Sequence, residues 1–157
     1  MGKKNYGKSV KTRLLNLMNE TGYKYMYLLA RYFNERLLYR VSVSQYKDNF
    51  LLKGGSLLYA MDGLNARPTI DVDFMAERIS RDREFLTKVF QEILGIVCDE
   101  DGVTFDTENI TMEPITVEKK HEKGRLIRAA RCALKSTNLF LYTIPIHRSS
   151  DPAFFVQ

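Results

Sequence analysis

Apolar and polar positions alternate with two different periods along this chain, and the change of period divides it. Over the first forty residues the apolar positions recur every three to four. Val10, Leu14, Leu17 and Met18 share one helical face, with Ser9 as the expected cap and Thr21-Gly22 as the stop. A second helix is predicted over about 25–39, turning Leu28, Leu29, Tyr32, Phe33 and Leu37 inward, with a loop or short extension over 41–47. The aromatic stripe on that helix suits a core rather than a base-stacking platform. Phe50-Leu51-Leu52 then opens a strand that breaks at Lys53-Gly54-Gly55-Ser56. A short helix over 56–61 should follow, ended by Asp62-Gly63. Pro68 biases Arg67 toward an extended conformation leading into Ile70-Asp71-Val72-Asp73-Phe74, where the period becomes two. Ser80 is the expected cap of a helix over 81–94 carrying Phe85, Val89, Phe90 and Ile93. Strand-like runs at 103–105, 110–117, 125–134 and 139–146 close the chain, with Pro114 and Pro145 confining theirs to edges or bulges. The sum is an α+β fold: N-terminal helices, then a mixed β-sheet core with a strand-rich C-terminal part, taken as a single domain over 1–157. Within it, 1–48 is a basic helical part and 49–157 the sheet-containing core.

Chemistry concentrates in the middle. Two glycines at a strand end let the backbone turn and approach a ligand closely, and the amides of the helix that follows point at any anion held there. Asp71 and Asp73, two apart on a strand, leave the same face. Like charges so placed repel unless a cation lies between them, and carboxylate pairs together with substrate phosphates are a usual way of holding magnesium. An acidic patch on an exposed strand face is the plainer alternative, and it supplies no counter-ion.

Composition changes this picture in two respects. The 157 residues, 45% hydrophobic with nine Tyr and nine Phe, suffice for a substantial core, and no stretch suits a membrane span or a signal peptide, which points to the cytoplasm. Cys98 and Cys132 stand far apart with no nearby His, so buried reduced thiols are expected rather than a zinc site. The net charge of +5 is uneven: residues 1–50 carry ten Lys/Arg against three Asp/Glu, and residues 51–100 carry six against nine. A basic part beside an acidic centre suits a polyanionic substrate such as RNA, although Lys and Arg on amphipathic helices also make ordinary solvated faces. The acidic run Asp99-Glu100-Asp101-Gly102 lacks the alternating ligands of a calcium loop and is expected to be a solvated turn.

A Gly-Gly-Ser turn at a strand end, a short helix and an Arg67-x-Thr69-x-Asp71-x-Asp73 strand together resemble the DNA polymerase β nucleotidyltransferase superfamily, in particular its AbiEii/AbiGii abortive-infection toxin branch. The flanking segments 32–40 and 124–126 are similar to that branch as well. The resemblance implies an enzyme that transfers a nucleoside monophosphate from an NTP to a hydroxyl of RNA, such as a tRNA end, or of a protein, within a toxin–antitoxin system that supplies a cognate antitoxin. It implies Asp71 and Asp73 as catalytic ligands of two Mg2+ ions, and Lys53, Gly54, Gly55, Ser56 and Arg67 as nucleotide-binding residues. The superfamily places a third carboxylate on a later strand, whereas 139–146 has none. From Asn138 onward the likeness stops, so a C-terminal truncation is expected. A nucleotide-binding remnant without transferase activity therefore stands as the alternative to an active enzyme.

Overall fold

In the computed structural model of the chain, residues 5–66, 69–80, 82–110 and 112 are described, together with the backbone of 132–134 and 146–148. The first helix, α1 (Tyr6–Thr21), begins a turn earlier than Ser9 would place it. Asn5 is the cap, its side-chain oxygen accepting from the Lys8 amide at 2.9 Å. The early start has a packing reason: Gly7 is buried, and its backbone sits so close to Gly102 that a Cβ there would fall 2.7 Å from the Gly7 nitrogen. Gly22, in the left-handed region at φ 72°, ends the helix.

The second helix, α2 (Tyr25–Val43), runs four residues past its predicted end because Val41 is buried and continues the stripe of Leu29, Phe33 and Leu37 at four-residue spacing. It carries three buried polar residues as well, Arg31, Asn34 and Arg40. Arg40 is 1% exposed and joins Asp101 (Nη1 to Oδ2, 2.7 Å) while donating to the carbonyls of Ile96 and Arg36, each at 3.0 Å. The Asp101 Oδ1 accepts from the Val103 amide, and the Tyr32 hydroxyl donates to the Asp101 carbonyl. The expected solvated turn at 99–102 is thus corrected at one position. Asp101 is buried, because Arg40 neutralises it and its remaining acceptor atoms are filled.

Among the described residues, five short strands form two sheets rather than the expected one. In the first, β1 (Phe50–Lys53) pairs antiparallel with β2 (Asp73–Ala76), and β5 (Ile146–Arg148) runs parallel to β2 on its other side. In the second, β3 (Val103–Phe105) pairs antiparallel with β4 (Cys132–Leu134). Periodicity identifies strands but not partners, which is why the division was not visible in the sequence. Most of the runs 110–117, 125–134 and 139–146 lie outside the described residues, so the strand-rich C-terminal part is represented by β4 and β5 alone.

Between β1 and β2, α3 (Gly54–Asp62) starts at the glycines themselves and stops at Gly63. The last helix, α4 (Arg83–Gly95), is capped by Asp82, which accepts from the Phe85 amide at 2.9 Å, rather than by Ser80. Leu86, Val89, Phe90, Ile93 and Leu94 are its buried positions, whereas Phe85 is 41% exposed and not part of the core. The Phe50 ring meets Phe74 at 5.9 Å and Phe90 at 5.3 Å, which fastens α4 to one face of the first sheet. Cys98 is half-buried rather than buried, and is a free thiol.

Candidate functional site

The register of β1 and β2 defines two faces. Phe50 pairs with Ala76 and Leu52 with Phe74 on the core side, and Leu51 pairs with Met75 and Lys53 with Asp73 on the other. Cross-strand partners share a face, so the cation of Lys53 and the carboxylate of Asp73 belong to the face turned away from α4. Asp71 precedes β2 and is exposed while Val72 beside it has no exposed surface, but Ile70 is exposed as well, so the alternation predicted for 70–74 holds from Asp71 onward and fails at Ile70, and the expected strand begins only at Asp73.

The turn closes on this acidic segment. Gly54 has φ 65°, a left-handed conformation that disfavours any side chain. A Cβ built on it would collide with the Asp73 carboxylate, lying closest to Oδ2 and 3.3 Å from Cγ. A Cβ on Gly55 would fall 2.9 Å from the Cβ of Thr69. Glycine is therefore required for space at both positions, and for the turn at Gly54. Lys53, in the capping position of α3, makes no side-chain hydrogen bond to the first-turn amides. Ser56 behaves differently from expectation. Its hydroxyl proton is donated to the Asp71 carbonyl at 2.6 Å, so the residue braces the acidic segment instead of offering its donor to a phosphate.

Two participating residues carried no assigned role in the sequence. Thr69 forms the wall against Gly55. Asn34, 5% exposed, donates from Nδ2 to the Ile70 carbonyl at 2.8 Å. The available signal for Asn34 was its position next to Phe33 on the inward side of an apolar helix, where an amide must find a partner. On the side of α3 facing α2, Arg31, Asn34, Glu35, Ser56 and Tyr59 line a cavity of about 330 Å³. Arg31 donates to the Tyr27 hydroxyl at 3.1 Å there and stacks on the Tyr59 ring. Arg67 lies outside the described residues.

The family model described as nucleotidyl transferase AbiEii toxin, type IV TA system, matches residues 36–138, more than half of the chain. The chain belongs to this family. A search among curated proteins finds no match. The AbiEii family is one of toxin nucleotidyltransferases, so an NTP substrate and an antitoxin partner belong to its setting. None of the described helices is long and apolar enough to cross a membrane.

The residues present fit the divalent cation that such a family uses. Asp71 and Asp73 are two carboxylates two residues apart, and glycine at position 54 keeps the space beside the Asp73 carboxylate open. Among the described residues no group of three or more His, Cys, Asp and Glu side chains stands together. A pair of carboxylates is nevertheless the donor set expected where substrate phosphates and water complete the shell, which is how magnesium is commonly held.

Proposed function

We propose that this AbiEii-family chain transfers a nucleoside monophosphate from an NTP to a hydroxyl of RNA, a tRNA end in the first instance, as the cytoplasmic toxin of its toxin–antitoxin pair. The observation that carries this reading is the packing of Gly54 against the Asp73 carboxylate, which joins the phosphate-type turn to the acidic pair at one end of a sheet. The acceptor oxygen forms a bond to the α-phosphorus as the bond to the bridging oxygen breaks, pyrophosphate leaves, and the acceptor's hydroxyl proton passes to solvent water. Mg2+, when bound, neutralises the triphosphate and polarises the reacting oxygens.

The protein's part is positioning and charge. First-turn amides at Gly54, Gly55 and Ser56 face the β- and γ-phosphates with the positive end of the α3 dipole behind them. Asp71 and Asp73 hold the cations. Lys53, across from Asp73 in the register, contributes positive charge to the same face, and Arg67 is assigned the same task. The basic N-terminal part attracts the polyanionic acceptor.

Binding of nucleotide without transfer is the second reading, favoured by the lack of any carboxylate in 139–146. Incubation with α-labelled NTPs, Mg2+ and total tRNA separates the two. Label on tRNA, reduced by roughly 100-fold or more in Asp73→Asn, is expected. Mg2+-dependent NTP binding with no labelled acceptor supports the second reading, and absence of both binding and transfer removes the assignment.

A further inference from the structure

We propose that Asn34 is a positioning residue of the nucleotidyl-transfer site, acting with Ser56 as a two-point clamp on the backbone that presents Asp71; this rests on the function proposed above. Asp71 is not in a strand, since the β1–β2 ladder begins at Lys53 and Asp73. The β1–β2 ladder therefore includes Asp73 and not Asp71. Two consecutive carbonyls at this place are instead gripped by side chains from two helices. Asn34 of α2 holds that of Ile70 at 2.8 Å, and Ser56 of α3 holds that of Asp71 at 2.6 Å. Both clamping side chains are buried, at 5% and 6% exposed, so water competes poorly for their bonds. Asn34 is also fixed in orientation, because only its Nδ2 can donate to a carbonyl. It lies outside the segment matched by the family model, which begins at residue 36.

The clamp makes α2 part of the site. A carboxylate pair that must receive cations at a set separation needs both members held in place, and these two side-chain bonds tie the segment that carries Asp71 to α2 and α3. Asn34→Leu is the appropriate probe, since leucine has nearly the shape of asparagine and keeps the helix face apolar while removing the donor. Ser56→Ala removes the second bond, and Ser56→Thr retains a hydroxyl for it.

Hydrogen–deuterium exchange of the full chain tests the clamp without reference to activity. In Asn34→Leu, amides over 69–73 should exchange about tenfold faster, while those of α4 keep their wild-type rates. The Mg2+ concentration for half-maximal NTP binding should rise by a similar factor, with binding of inorganic triphosphate in the absence of Mg2+ unchanged. Ser56→Ala should behave alike and Ser56→Thr should recover the wild-type Mg2+ response. Unchanged exchange over 69–73, an equal increase in α4, or faster exchange with an unaltered Mg2+ response would each overturn the proposal. If the wild-type chain binds no NTP with Mg2+, the transferase reading fails, whereas the exchange result still decides whether the clamp exists.

Discussion

Replacing Gly54 with alanine places a methyl group where the Asp73 carboxylate already is, and a second glycine provides the control needed to separate the two costs this incurs. Gly54 and Gly22 have nearly the same φ, 65° and 72°. An L-residue at either must occupy the left-handed region, at a cost of about 1–2 kcal/mol. The surroundings differ: nothing lies within 4 Å of a Cβ at Gly22, whereas one at Gly54 meets the Asp73 side chain, with Cγ at 3.3 Å and Cβ at 3.5 Å. To clear the methyl, Asp73 must leave its rotamer or move its strand, adding about 0.5–1.5 kcal/mol by the usual cost of an off-rotamer side chain. Gly22→Ala should therefore lower the unfolding free energy by about 1–2 kcal/mol, and Gly54→Ala by about 1.5–3.5 kcal/mol. For a chain of this size each kcal/mol lowers Tm by roughly 2–4 °C. The functional difference is larger than the thermal one. Gly22→Ala should bind Mg2+ and NTP as the wild type does, while Gly54→Ala should lose at least roughly tenfold in Mg2+-dependent affinity because a ligand carboxylate has been displaced. Urea titration and calorimetric binding with and without Mg2+ measure both. If Gly54→Ala binds Mg2+ and NTP as tightly as Gly22→Ala, the contact between the turn and Asp73 has no part in the site.

Gly55→Ala should weaken NTP binding by pressing its methyl on Thr69, whose Cβ would lie 2.9 Å away, and Thr69→Gly in the same chain should restore part of the loss; no recovery in equilibrium binding would mean that Thr69 is not the obstacle. Arg40→Met leaves the buried Asp101 carboxylate without its cation and should cost about 3–5 kcal/mol in urea denaturation, with Asp101→Asn in the same chain recovering a part measurable by a double-mutant cycle. Burial raises the Tyr32 phenol above its ordinary value of 10.0, only partly offset by the Arg36 charge. The protonated phenol is the form the fold favours, so this stabilisation is complete below pH 10 and is lost as pH rises through the higher folded value. Urea midpoints from pH 9 to 11 should consequently fall more steeply for the wild type than for Tyr32→Phe, and parallel curves would contradict it.

The parts of the site legible in the sequence were those set by local geometry. A Gly-Gly pair after an apolar run demands a turn, and an alternation of apolar and acidic residues marks the acidic strand, which the structure forms from Asp73 onward. Both follow from backbone conformation, and the structure brings the two segments into contact. The parts that escaped depend on partners far along the chain. The amide of Asn34 and the guanidinium of Arg40 sit on α2 in a pattern that reads as helical and largely inward, but their meaning comes from Ile70 and Asp101, 36 and 61 residues away. Ser56 had two uses open to its hydroxyl, and only the position of the Asp71 carbonyl decides between them. Helix starts show the same limit on a smaller scale. Asn5 and Ser9 are both capable caps, as are Ser80 and Asp82, and the choice of Asn5 brings Gly7 against Gly102, a tertiary contact that no cap preference contains.

The two aspartates, equivalent in the sequence, are held by different forces, and this bears on how the site can fail. Asp73 is in register opposite Lys53 within the antiparallel ladder, so its backbone is fixed by main-chain bonds that no single side-chain substitution removes. Asp71 depends on Asn34 and Ser56, two side chains from two helices, and either can be removed by one substitution. Disturbances of α2 should consequently reach the site through Asp71 and leave Asp73 in place. Disturbances of the turn at Gly54 act the other way, since its close neighbour is the Asp73 carboxylate. A cation held by both residues, as proposed, would sense either displacement, whereas the proposed phosphate contacts of the α3 amides would be made by main-chain groups rather than by the carboxylates. The Mg2+ dependence of NTP binding, more than its Mg2+-free component, is therefore the quantity in which both kinds of damage converge.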